Sequence, residues 1–176
     1  PTLFKYASAS FADAQTAWVT YYNGPGGYPV PPNPVVWRTT DAGLTWQASQ
    51  PIPVAGLDEL YIPSTFFFLD AAHGWMLTHL GAGMSHDYFT IFHTADGGQT
   101  WTMQIDPFGL DDPGLQSCQK TGLAFADPLN GWLTRDCFGV IDGITLARTN
   151  DGGETWTLQD MPAPARMPDR FLKAYC

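Results

Sequence analysis

An all-β chain of three four-stranded antiparallel units is what the sequence predicts, and two recurring phrases predict it. The first is eight residues long. It reads TTDAGLTW at Thr39–Trp46, TADGGQTW at Thr94–Trp101 and TNDGGETW at Thr149–Trp156. Its aspartates, Asp41, Asp96 and Asp151, are 55 residues apart. The second precedes each copy of the first. It reads FADAQTAW at Phe11–Trp18, FLDAAHGW at Phe68–Trp75 and FADPLNGW at Phe125–Trp132, at intervals of 57 residues. A fixed period of this size is the mark of a repeat architecture.

Each unit divides into four short strands, rich in aromatic and β-branched residues and bounded by turn residues. The first unit gives strands over Ala7–Phe11, Trp18–Tyr22, Val35–Thr40 and Thr45–Ser49. The second gives Thr65–Leu69, Trp75–His79, Phe89–Thr94 and Thr100–Ile105. The third gives Gly122–Ala126, Trp132–Arg135, Ile144–Thr149 and Thr155–Gln159. No stretch carries a helical period. Three such units read as propeller blades, over about 1–55, 56–112 and 113–168, with 169–176 a candidate start of a further blade.

The Asp phrase then joins the third strand to the fourth. Its carboxylate is expected to accept hydrogen bonds from backbone N–H groups a few residues on, closing the turn. Gly43, Gly98 and Gly153 supply a backbone conformation that a side chain resists. Trp46, Trp101 and Trp156 give each blade a large apolar anchor.

These phrases resemble the Asp-box, or BNR, repeat of sialidases, some other glycosidases, sortilin-like receptors and the photosystem II assembly factor family. The coupled order F-x-D, G-W, T-x-D-G-G-x-T-W looks most like the last group, and the likeness covers essentially the whole chain. It implies a propeller with the Asp boxes on its rim, away from the usual ligand face. Three departures stand out: Ala42 replaces the first Gly of the Asp phrase, Ala17 replaces the Gly before Trp18, and Pro128 enters one short turn. Natural propellers have four to eight blades. The expectation is therefore a piece of a longer propeller, the alternatives being closure by self-association or an open fold.

Composition narrows the function. The formal net charge is -9 with only eight basic residues, none of them clustered. That excludes non-specific nucleic-acid binding and docking on an anionic membrane. No apolar run approaches the length of a bilayer span, so no membrane insertion is expected. Of the three cysteines, Cys118 and Cys137 fall in loops of one face. A disulfide between them is expected, and with it an oxidising, extracytoplasmic compartment. The alternative is two separate thiols.

Variable loops on a regular scaffold are where recognition sits. Asn23–Pro34, Leu80–Tyr88 and Phe108–Lys120 share one face, which makes Tyr21, Tyr22, Tyr28, His86, Asp87 and Tyr88 the binding-face candidates. The plainer reading of the tyrosines is that they cover a blade edge. The plainer reading of His79, His86, Asp87 and Tyr88 is that they are solvated loop residues. No metal site and no cofactor are expected, since no recognised ligand spacing occurs. Asp58, Glu59, Asp111 and Asp112 are weak candidates for the carboxylate pair of a glycosidase. The arginine cluster of sialidases is missing, and ARMPDRF at Arg166 is only a faint likeness to their arginine phrase. The expected function is a non-catalytic extracytoplasmic module that binds a protein partner, with carbohydrate as a further ligand class. The alternative is a glycoside hydrolase or sialidase-like enzyme, or a fragment of one.

Overall fold

Each unit folds as a four-stranded antiparallel sheet with its strands side by side in chain order. The computed structural model describes residues 6–22, 34–54, 62–83, 86–109, 113–137 and 145–161. Blade one holds β1 (Tyr6–Phe11), β2 (Ala17–Tyr22), β3 (Val36–Thr39) and β4 (Gln47–Ala48). Blade two holds β5 (Ile62–Phe68), β6 (Gly74–Gly83), β7 (His86–Thr94) and β8 (Thr102–Met103). A single helical turn, α1 (Pro113–Gln116), follows, where no helical period is expected. Blade three holds β9 (Gln119–Phe125), β10 (Gly131–Asp136), β11 (Thr145–Thr149) and β12 (Thr157–Asp160).

The fourth strands begin later than the sequence suggests, because Thr45, Thr100 and Thr155 are consumed by the Asp turns. Thr45 gives both its backbone N–H and its hydroxyl to Asp41, at 2.8 and 2.6 Å. Thr100 does the same to Asp96, at 2.9 and 2.6 Å, and Thr155 does so to Asp151. The first Thr of each phrase works in the opposite sense. The Thr39, Thr94 and Thr149 hydroxyls donate to the carboxylate and accept the N–H of Gly43, Gly98 and Gly153. Gly98 and Gly153 have φ of 85° and 104°, in the region that favours glycine.

The second phrase builds the facing turn. Asp13, Asp70 and Asp127 each accept two backbone N–H groups at 2.7–2.9 Å. The two turns of a blade are then tied together by Ala42 N–H to Gln15 O, Gly97 N–H to Ala72 O, and Gly152 N–H to Leu129 O.

The core lies between blades rather than within them. Trp18, Val36, Phe66, Phe68, Met76, Phe92 and Trp101 fill the space between blades one and two. Trp75, Leu77, Phe89, Ile91, Leu123, Phe125, Leu133 and Trp156 fill the next. One contact repeats in both. Trp18 donates its indole N–H to Gly97 O of the following blade at 2.8 Å, and Trp75 to Gly152 O at 3.0 Å. Each indole also stacks on the Phe of the following blade: Trp18 on Phe68 at 3.6 Å, Trp75 on Phe125 at 3.7 Å.

The Phe rings lie flat because glycine lies beneath them. A Cβ at Gly74 would stand 2.6 Å from the Phe68 ring, and one at Gly131 would stand 2.6 Å from Phe125. Blade one has Ala17 at this position. Its Phe11 is 71% exposed, whereas Phe68 and Phe125 are each 5% exposed. A second departure, Ala42, sits at φ 57° in the same blade.

Gly74→Ala and Gly131→Ala are expected to lower stability by about 1–3 kcal/mol through overpacking, read as a lower urea midpoint. Ala17→Gly should move the midpoint far less. The Asp boxes add a pH dependence. Hydrogen bonds from the Thr45 hydroxyl and N–H, then from Thr39, hold Asp41 at about 2. Burial pushes Asp151 up, yet the Thr155 and Thr149 bonds prevail and hold it also at about 2. A depressed folded-state value gives stability that is present above the ordinary carboxylate range and lost as pH falls through the folded value. The urea midpoint should therefore drop on acidification from about pH 4 to pH 2. Asp151→Asn should flatten that drop.

Candidate functional site

Among the described residues the β6–β7 hairpin pairs over a longer run than its counterparts. Its pairing runs from Gly74↔Thr94 to Gly83↔His86, with a bulge between His79 and Gly81. The corresponding pairings in blades one and three run over four residue pairs each. His79, His86, Asp87 and Tyr88 are therefore strand residues, not the solvated loop set that the sequence suggests. Asp87 extends the inward alternation of Phe89 and Ile91, and it is buried.

A buried carboxylate needs partners, and Asp87 has several. His79 Nδ1 lies 2.9 Å from Oδ1, and the Lys120 backbone N–H donates to Oδ2 at 2.8 Å. Lys120 Nζ stands 3.7 Å from the same oxygen. Burial pushes the carboxyl up, but the His79 and Lys120 hydrogen bonds and the Lys120 charge outweigh it, so its pKa lies below the ordinary value. Lys120 is itself fully buried. Its ammonium donates to Cys118 O at 2.7 Å, with Ser117 O and Gln116 O at 3.3 and 3.4 Å, and it lies 4.4 Å from the Phe89 ring centre. Burial lowers its pKa to about 8. The Asp87 charge works against that shift and the Arg135 charge reinforces it.

The connection from blade two to blade three is fastened to the same place. Cys118 and Cys137 form a disulfide with Cα atoms 4.5 Å apart. His86 bridges Ser117, and Arg135 Nη1 donates to Gly114 O of α1. Hairpin, helical turn, disulfide and blade three thus share one buried polar knot. Lys120 is enclosed by carbonyls and a carboxylate, and this arrangement suits a brace rather than a nucleophile.

Outside the knot lies a short aromatic row. His86 and Tyr88 are exposed, with ring centres 6.5 Å apart. Phe108, 69% exposed, stands 6.4 Å from Tyr88. Of the other candidates, Tyr21 lies in β2 beside Val19, Trp37 and Trp46 of blade one. Tyr22 ends β2 opposite Tyr6, and the structure describes no side chain for it. Tyr28, Asp58, Glu59, Asp111, Asp112, Arg166 and Cys176 lie outside the described residues.

Sequence reasoning missed Lys120 and Phe108. Lys120 turns inward only because the pairing of β9 with β10 slips between Thr134 and Arg135. Period-two alternation cannot show that. Asp87 was findable, since Asp87, Phe89 and Ile91 alternate. His93 is half-buried and stacks on Trp75 at 4.9 Å; burial, then the His73 charge, lowers its pKa. Among the described residues no group of three or more His, Cys, Asp or Glu side chains could hold a metal ion. Among them, too, no helix is long and apolar enough to cross a membrane.

No known family profile matches the sequence, and no curated protein does. Solved structures do match. YCF48 bound to a D1 peptide superposes with a TM-score of 0.54 at 20% identity, over 85% of this chain and 38% of that one. A GH74 enzyme of Niastella koreensis gives 0.49 at 14% identity, over 85% of this chain and 22% of that one. The chain thus spans well under half the length of either. The first likeness, with the three sheets, shows the fold: the chain forms part of a β-propeller.

The knot has a measurable signature. A lysine whose folded-state pKa is depressed leaves the unfolded chain holding more protons between about pH 8 and pH 10.5, so stability should rise with pH through that window. Lys120→Met is expected to abolish the rise, as followed by urea unfolding at a series of pH values.

Proposed function

We propose that the chain is a non-catalytic, extracytoplasmic propeller module that binds a protein segment through the face carrying His86, Tyr88 and Phe108. The exposed Tyr88–Phe108 pair carries this reading. Large aromatic side chains held on a rigid support are the usual anchors of protein recognition. Tyr88 follows Asp87 of the buried knot in β7, and the Phe108 backbone N–H is held by Asp106, so both aromatics stand on ordered backbone. A peptide-bound neighbour of the same fold, YCF48 with its D1 peptide, lends support. The disulfide favours an oxidising compartment. Tyr21, Tyr22 and Tyr28 remain proposed contributors to the wider face. The carboxylates described in the turns have lowered pKa values, the reverse of what a general acid needs.

Peptides selected from a random displayed library against the immobilised protein should lose affinity by about tenfold or more with Tyr88→Ala or Phe108→Ala. Fluorescence anisotropy measures this, with circular dichroism confirming that each variant is folded. Binders indifferent to both substitutions would overturn the reading. So would release of reducing sugar from a soluble polysaccharide by the purified protein.

A further inference from the structure

A polar groove separates blades one and two at the Asp turn of blade two. Its origin is one short side chain. Val36 O accepts the Ser49 backbone N–H, and Ile91 O accepts that of Gln104, so Ser49 and Gln104 hold the same place in successive blades. Gln104 reaches the Asp turn of blade three, where a Cβ at Gly153 would stand 2.6 Å from its side-chain oxygen. Ser49 is too short for the equivalent reach. Its hydroxyl serves its own blade, donating to Gln50 O at 2.6 Å and accepting the Val36 N–H at 3.0 Å. A space of about 220 Å³ is left, lined by Arg38, Gln47, Gln50, Gln99 and Thr100 together with Gly97 and Gly98 of the turn.

Arg38 supplies the charge of this groove. The Trp18 ring, across the strand from it, lies 5.7 Å from the guanidinium carbon. The other side of the guanidinium rests on Gly97, where a Cβ would stand 2.7 Å from Nη1. The group is thus held in place by packing alone. It has no hydrogen bond or ion pair to any described residue, and its Nε is buried without an acceptor. Asp96 lines the same groove but does not neutralise it. The Asp96 oxygens are taken up within their own turn by Thr94, Gln99 and Thr100. A positioned guanidinium without a counter-charge offers its terminal nitrogens as paired donors, the arrangement that matches a carboxylate.

We infer that this groove binds a small hydroxy- or amino-carboxylic acid, its carboxylate on Arg38 and its remaining polar hydrogens among the amide and hydroxyl side chains around it. Drug-sized ligands occupy pockets from roughly 300 Å³ upward, so the groove suits a molecule of a few heavy atoms. The charge of Asp96 beside it favours a single carboxylate over a more highly charged anion. The site is separate from the aromatic row. His86 and Tyr88 lie at the start of β7, and the groove lies beyond its Thr94 end.

Sodium lactate is the probe, titrated into the isotope-labelled chain and followed by NMR at constant ionic strength. The backbone amide signals of Gly97, Gln99 and Thr100 should shift and saturate in the millimolar range, and sodium chloride alone should leave them in place. Arg38→Lys keeps the charge but loses the fork, and should weaken binding by about tenfold. Ser49→Gln puts a glutamine where blade two has Gln104, and should abolish saturation with Arg38 intact. Wild-type signals that drift linearly without saturating would sink the inference before any variant is made. So would a folded Ser49→Gln protein that binds lactate as the wild type does. Inorganic phosphate bound more tightly than lactate would overturn the ligand class. Circular dichroism reports whether each variant folds.

Discussion

An indole N–H donated across a blade boundary is the contact on which the rest of the structure depends. Trp18 reaches Gly97 and Trp75 reaches Gly152 only if the Asp turn of the next blade holds its backbone carbonyl in place. The aspartate shapes that turn by gathering hydroxyl hydrogens from both flanking threonines and an amide hydrogen from the second. The turn is in turn anchored to the neighbouring hairpin, whose Phe supplies the stacking surface. An aspartate, a glycine, a phenylalanine and a tryptophan from two phrases and two blades thus form a single joint. A buried indole N–H without an acceptor is costly, so the joint is specific as well as apolar.

Much of this was legible in the sequence, because the repeat writes the same chemistry three times. The strand count follows from spacing, and the expected pairing of Cys118 with Cys137 is the one the structure holds. What the sequence could not show is which blade each phrase serves. Trp18 and Phe68 look like separate decorations of separate units, and only the stacking shows that they are one contact. Strand lengths were misjudged for a related reason. Thr45, Thr100 and Thr155 have strand propensity, but their donors are committed to aspartate.

The candidate site was less legible. Local alternation could have placed Asp87 inward, yet glycines at 81 and 83 suggested a loop in place of a bulged hairpin. Lys120 was hidden by a second bulge, one that rotates the start of β9 toward the hairpin. Bulges arise from the fit between strands, and neither strand records that fit alone. Such departures collect where the fold is asked to do more than repeat. Here they coincide with the helical turn, the disulfide and the exposed aromatic row.

Each blade leans on the one that follows it, and this gives the chain a direction in time. The acceptor for Trp18 lies 79 residues downstream, and that for Trp75 lies 77 downstream. During synthesis the first blade leaves the ribosome with its indole unanswered and one sheet face bare, and it stays so until the second Asp box has emerged. The growing chain therefore always carries one unfinished apolar face, handed on from blade to blade. Chaperones would meet that moving edge, rather than any fixed site, as the sticky part of the nascent protein.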